Sequence, residues 1–141
     1  MNILIICRAN SCRSQMAEAF LKKMDPTLNV ESVGTEPAPS VHPLTIKVMA
    51  EIGFDISGWN TKNVADFIHL DWDFVITVCD IARNACPVFT GNVKESLFFK
   101  FTDPLAYEGS DEFLLELIRR TRDHIKDEFE DFYRHFVSCS I

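Results

Sequence analysis

The chain has 141 residues, 47% of them hydrophobic and 25% charged, and a formal net charge of −7. That length suits one domain over 1–141 with one substantial core, and the acidic balance argues against a broad nucleic-acid-binding face while leaving room for a local anion pocket. The apolar stretch after Met1 is about four residues long, too short for a secretory h-region of about 7–15, and no run approaches the ~18 residues of a membrane span, so the chain reads as cytoplasmic.

Residues 2–6, "NILII", form a continuous apolar run, the pattern of a strand buried on both faces. Met16, Ala17, Ala19, Phe20, Leu21 and Met24 suit a helix from Ser14, ended by Asp25-Pro26. A second strand is expected over Asn29–Val33, before Gly34. After the loop "PAPS", Ser40 or His42 caps a helix with Pro43 near its start, carrying Leu44, Val48, Met49 and Ile52 and stopping at Gly53. A short helix is expected over Lys62–Ile68. "DFVITV", 73–78, is the strongest strand and ends at Cys79; "SLFFKF", 96–101, gives a fourth strand by its alternation. The tail is a helix with Phe113, Leu114, Leu117, Ile118, Thr121, Ile125, Phe129, Phe132 and Phe136 on one face, with Ser110 as N-cap before Asp111 and Glu112.

Strands alternating with helices imply an α/β fold, a three-layer sandwich with a four-stranded parallel sheet flanked by helices. Ligands bind such sheets beyond the carboxyl ends of the strands, near a topological switch point. Cys7 and Cys79 both fall at strand ends.

The segment Cys7-Arg8-Ala9-Asn10-Ser11-Cys12-Arg13-Ser14 joins the first strand to the first helix. A loop there aims backbone N–H groups inward at a helix N-terminus, which suits a tetrahedral oxyanion and a thiolate alike. Free cysteine titrates near ~8.5, and such surroundings lower it to roughly 3.5–7.5, so Cys7 is expected to be an ionised nucleophile. Arg13 matches two oxygens of the anion at once. Ser14 can donate to the Cys7 sulfur, and the Asn10 amide can tie the loop together. The plain structural alternative is a buried cysteine beside a solvated arginine. Further on, "VITVCDIARNACPVF" holds Cys79 and Cys86 seven residues apart. Were the segment helical they would share a face roughly 10 Å apart, beyond the Cα separation of about 7 Å that a disulfide spans, so a bridge needs the segment to unwind. Two buried structural cysteines are the alternative.

Cys-x5-Arg-Ser near the N-terminus resembles the low-molecular-weight protein tyrosine phosphatase fold. "NSCRSQMAE", "GTEPAP", "HPLTIKVMAEIGFDISG", "VITVCD" and the "TDP" at 102–104 are similar, more specifically, to the thioredoxin-coupled arsenate reductases built on it. The resemblance covers most of the chain and thins out in the last helix. It implies reduction of arsenate to arsenite by a Cys7–Cys79–Cys86 relay, with thioredoxin as reductant, no bound cofactor, and a monomer without nucleic-acid or membrane partners. It also implies that Asp103 of Asp103-Pro104 is the general acid, although Asp-Pro is also a common turn. Two other functions stay open: a phosphatase working through a Cys7 phosphocysteine, and an oxyanion-binding or redox-sensing module with little turnover.

The family loop usually has Thr-Gly where this chain has Arg8-Ala9, so Ala9 is expected to stiffen or strain the loop, and Arg8 to face solvent or add charge at the anion's rim. Some members bind a monovalent cation near residues matching Asn10, Glu18 and Ser32. Here Asn63 stands where an acidic partner is expected, which leaves that site open. Cys12 is read as inert packing or as a protective partner of Cys7, and Cys139 as a spare thiol. His42, His69, His124 and His135 have no metal-ligand spacing. Trp59, Trp72 and the phenylalanines are assigned to the core.

Overall fold

The computed structural model describes residues 1–138; Cys139 lies outside them. The chain runs β1 (Asn2–Cys7), α1 (Arg13–Met24), β2 (Asn29–Gly34), α2 (Pro43–Ala50), β3 (Trp72–Thr77), α3 (Asp80–Ala85), β4 (Val93–Phe98) and α4 (Asp111–Phe132). The four strands form one parallel sheet in the order β2-β1-β3-β4. Ile3, Leu4, Ile5 and Ile6 of β1 are all fully buried. A strand covered on both faces cannot alternate apolar with polar residues, which is why the sequence shows an unbroken apolar run there. The chain leaves β1 toward β2 on one side and returns to β3 on the other. The carboxyl ends of β1 and β3 are therefore the switch point, and the loops after them share one crevice.

Arg13 through Leu21 of α1 are all buried, because the helix packs against β1, β2 and α4. α4 turns Leu115, Ile118, Arg122, Ile125, Phe129 and Phe132 inward. Phe129 and Phe132 stack edge-on against Phe99 and Phe74, the geometry that ring quadrupoles favour. Arg122 reaches the Val48 carbonyl at 3.0 Å and the Glu51 carboxylate at 3.2 Å, tying α4 to α2.

Several expected boundaries move, for physical reasons. The fourth strand lies at 93–98, not 96–101, because its ladder with β3 pairs Trp72 with Val93 and Thr77 with Phe98. As an edge strand it exposes Lys94, Glu95 and Ser96. Past the strand, Phe99 N still donates to Thr77 O at 2.9 Å, Lys100 is exposed, and Phe101 turns into the core from a loop. The helix expected over 62–68 is a single 3-10 turn, Val64–Asp66, capped by the Asn63 side chain. Ahead of it the backbone is committed elsewhere, since Gly34 N donates to Lys62 O at 2.8 Å and Gly34 bridges Asn63. Of the two candidate caps for α2, His42 is the one used, its Nδ1 accepting from Leu44 N at 3.1 Å. At the tail, Phe113 and Phe136 are exposed at 47% and 39% rather than in the core, and Leu115 and Arg122 supply the buried face in their stead. The widened π turn Tyr133–Val137 that follows α4 buries Val137. Trp72 is buried as expected, and Trp59 is only partly so.

Candidate active site

The loop 7–14 closes on the Cys7 sulfur. Ser14 Oγ lies 3.0 Å from Cys7 Sγ, and the Asn10 backbone N–H donates to the same sulfur at 3.2 Å. Asn10 is the hub of the loop. It is the one non-glycine residue at positive φ among those described, at 54°, a region that asparagine tolerates better than most side chains. Its Nδ2 donates to Ser14 Oγ at 2.8 Å and Ser32 Oγ at 2.9 Å. Its Oδ1 accepts from Lys62 N at 2.9 Å and Gln15 Nε2 at 3.2 Å. Gln15 Nε2 also reaches the Asn10 and Asn60 carbonyls. The strain expected at Ala9 is thus absent there, and Asn10 takes the left-handed position instead.

Arg13, 8% exposed at its side chain, enters from the first turn of α1. Its Nη1 donates to the Phe101 carbonyl at 3.0 Å, and its Nη2 lies 3.5 Å from Asp103 Oδ2. Asp103 caps the 3-10 turn Pro104–Ala106 by accepting from Leu105 N at 2.9 Å. The segment after β4 is therefore clamped to the Cys7 loop by one arginine, and Arg13, Cys79, Phe101 and Asp103 line a common cavity of about 240 Å³ with Arg8 and Asp80. Arg8 is half exposed and pairs with Glu36 at 3.4 Å across the rim. Cys12 caps α1 only through its backbone and is buried; Ser11 is buried, and its carbonyl accepts from His42 N.

Burial pushes the Cys7 thiol up, against the pull of the Ser14 hydroxyl, the Arg13 guanidinium and the Asn10 N–H. This reverses the expectation of a thiol lowered by its donors. Motif spacing reveals the donors, whereas the desolvation that opposes them comes from the packed strand and helix around the loop. Cys12 is pushed up to about 12, chiefly by burial, as suits an inert packing role.

Cys79 is the N-cap of α3, its sulfur accepting from Ala82 N at 3.4 Å, and Cys86 is the C-cap. Six helical residues lie between them, so the two thiols stand roughly 10 Å apart along the axis. Cys79 is buried and close enough to Cys7 that a charge on it would raise Cys7 further. Cys86 is partly buried, which raises its thiol.

Residues 2–137 match the family of the low molecular weight phosphotyrosine protein phosphatases. The chain belongs to that family. Within it, the chain is 39% identical to the arsenate reductase of Halalkalibacterium halodurans, over 92% of this chain and 93% of that one. A solved arsenate reductase in its phosphate-binding state superposes with a TM-score of 0.78 at 32% identity, covering 94% of this chain and 96% of that one. A thioredoxin-dependent arsenate reductase of Corynebacterium glutamicum matches with a TM-score of 0.61 at 27% identity, over 94% of this chain and 62% of that longer one.

For this family member the structure also resolves what surrounds the suggested cation residues. Asn10, Glu18 and Ser32 do come together, but the Glu18 carboxylate is engaged by Ser32 N at 2.9 Å and by the ammoniums of Lys22 at 2.7 Å and Lys62 at 3.5 Å. Asn63 spends its side chain on capping. Among the described residues no group of three His, Cys, Asp or Glu side chains could hold a metal ion, and no helix is long and apolar enough to cross a membrane. Two participants escaped the sequence reading. Lys62 acts on the loop through its backbone, which no motif records. Gln15 stood within the quoted motif, but only the fold shows that it bridges the loop to the 60s.

Proposed function

We propose that the chain reduces arsenate to arsenite through Cys7, Cys79 and Cys86, regenerated by thioredoxin. The observation that carries the reading is the pairing of a nucleophile loop with a second buried thiol on the adjacent strand end, Cys79, and a third at the far end of a short helix. Hydrolysis of a phosphoester has no use for the second and third. Arg13 holds the oxyanion, with Ser14 and the loop N–H groups. The Cys7 sulfur attacks arsenic as its proton is lost, and Asp103 protonates the oxygen that departs as water. Cys79 then attacks the Cys7 sulfur. The S–As electron pair leaves with arsenic, which falls from As(V) to As(III), and a Cys7–Cys79 disulfide forms. Cys86 attacks Cys79 and releases Cys7. The resulting Cys79–Cys86 disulfide is opened by the dithiol of reduced thioredoxin, supplied in turn by NADPH through thioredoxin reductase. Because Cys79 and Cys86 cap opposite ends of α3, bridging them requires α3 to unwind. That change would also bring the pair outward to a reductant. A reducing, cytoplasmic location fits this relay.

The test is NADPH consumption on adding arsenate to the pure, reduced protein with thioredoxin and thioredoxin reductase, beside a Cys86→Ser variant. Sustained oxidation that the variant loses after one turnover supports the relay. No oxidation by either protein refutes it. Phosphatase activity through Cys7, Arg13 and Asp103 is the second reading, favoured by the shared family; it would leave Cys86→Ser indistinguishable from the parent on a phosphoester.

A further inference from the structure

We infer that Lys62 is a positioning residue for the Cys7 nucleophile, its ammonium pinning the segment whose backbone N–H holds Asn10 in place. Four contacts meet at this one residue. Lys62 Nζ lies 3.5 Å from Glu18 Oε1 on α1 and 3.3 Å from Glu31 Oε2 on β2. Its carbonyl accepts from Gly34 N at 2.8 Å, and its own N–H donates to Asn10 Oδ1 at 2.9 Å. The Glu18 side chain is only 3% exposed, and a carboxylate so buried needs compensating charge. Lys22 gives part of it from the solvent side, 42% exposed and seated over the Trp59 ring. Lys62 gives the rest, and is the one of the two that also touches the loop.

The line of force to the sulfur is short. Asn10 occupies a left-handed conformation that a side-chain-bearing residue adopts at a cost of about 1 kcal/mol or more. Its amide bonds to Lys62 N, Gln15, Ser14 and Ser32 hold it there, and in that conformation its N–H points at Cys7 Sγ. Glu18 completes a circuit, since Ser32 N donates to the same Oε1 that Lys62 faces while Ser32 Oγ accepts from Asn10. Withdrawing the ammonium leaves Glu18 and Glu31 without their shared cation and frees the segment carrying the Lys62 N–H. Asn10 then loses a strut, and the hydrogen bond to the nucleophile loosens. Arg13, fixed by Phe101 and Asp103 on the other side of the cavity, is untouched.

The inference rests on Cys7 being the nucleophile of the proposed reaction. Lys62→Met keeps the aliphatic stem and removes the charge; Lys62→Arg restores a cation. In single-turnover arsenate reduction with enzyme in excess, the rate at saturation in Lys62→Met is expected to fall about tenfold, with little change in the half-saturating arsenate concentration. Lys62→Arg recovers most of the rate, and millimolar propylammonium recovers part of it in Lys62→Met. Amide exchange over residues 8–14 quickens in Lys62→Met while α4 is unchanged, a readout that needs no arsenate. If the parent protein fails to reduce arsenate, the functional reading falls and exchange alone decides this one. A wild-type rate in Lys62→Met, or Lys62→Arg as impaired as Lys62→Met, overturns the inference. Should Lys62→Met fail to fold, Lys62→Gln replaces it, and a wild-type rate there is equally fatal.

Discussion

Gly34→Ala should damage both stability and activity, through one atom. Gly34 ends β2, directly opposite Cys7 in the ladder. A Cβ built on it would sit 2.5 Å from the Arg8 carbonyl oxygen, 3.1 Å from Asn10 Cβ and 3.2 Å from the Ala9 carbonyl carbon. The first contact is about 0.9 Å short of the 3.4 Å at which ordinary contact begins, and its partner is backbone that cannot rotate aside. Nor can the loop retreat freely, because Thr35 N and Glu36 N donate to the Cys7 and Arg8 carbonyls at 3.0 and 2.8 Å. Overpacking of this kind costs about 1–3 kcal/mol, and for a chain of this size about 2 kcal/mol lowers Tm by about 4–8 °C. A loop displaced by nearly 1 Å beside the reacting sulfur is expected to slow the chemical step about 100-fold. Thermal unfolding by circular dichroism and single-turnover arsenate reduction read the two effects. Gly58→Ala is the control, since nothing lies within 4 Å of its Cβ position and its φ is unexceptional. Wild-type Tm and rate in Gly34→Ala, or equal losses in Gly58→Ala, would refute the reasoning.

Asn10→Ala removes four side-chain hydrogen bonds while leaving a residue with a Cβ at positive φ; a loss of about 2–3 kcal/mol should appear as a lowered urea midpoint, with a single-turnover rate at least about tenfold down. Arg122→Met is the converse case. It unties α4 from α2 and should cost about 2 kcal/mol in urea unfolding with the single-turnover rate unchanged, because Val48 and Glu51 lie outside the site. The Cys12 thiol makes the protein sensitive to alkali. Unfolded, it loses its proton near 9.0; folded, it keeps it to about 12. Between those values the unfolded chain binds fewer protons, so stability falls as pH rises, by up to about 1.4 kcal/mol per pH unit from this group. Urea midpoints at pH 8 and pH 10 should therefore draw closer together in Cys12→Ala than in the parent, and an identical drop in both would contradict the assignment.

The nucleophile loop was legible because its chemistry is local. Cys7, Asn10, Arg13 and Ser14 fall within eight residues between an apolar strand and a helix, and hydrogen bonds join Cys7, Asn10 and Ser14 to one another. The cap at Ser110 is equally short-range. Reading failed where the partner was distant in sequence. The edge of β4 depended on its register with β3, 21 residues earlier at Trp72–Val93. The supposed helix over 62–68 was pre-empted by backbone pairing with Gly34. Phe113 obeys the helical period of α4 yet sits in its first turn and stays exposed, while Phe136, past the end of α4, packs its ring on Phe74 and Phe132 and leaves its outer edge exposed.

By itself, then, the sequence determined the order of elements, the parallel α/β architecture and the residue types of the loop, because apolar periodicity, caps and an eight-residue anion motif are all encoded within a few turns of chain. Only the tertiary structure decided which way the Cys7 thiol shifts and which distant groups brace the loop. Cys7 is surrounded by donors at short range, but burial outweighs them and pushes its thiol up. The strut from Lys62 to Asn10 spans 52 residues. Desolvation and long-range hydrogen bonds belong to the packed chain, and no window of sequence contains them.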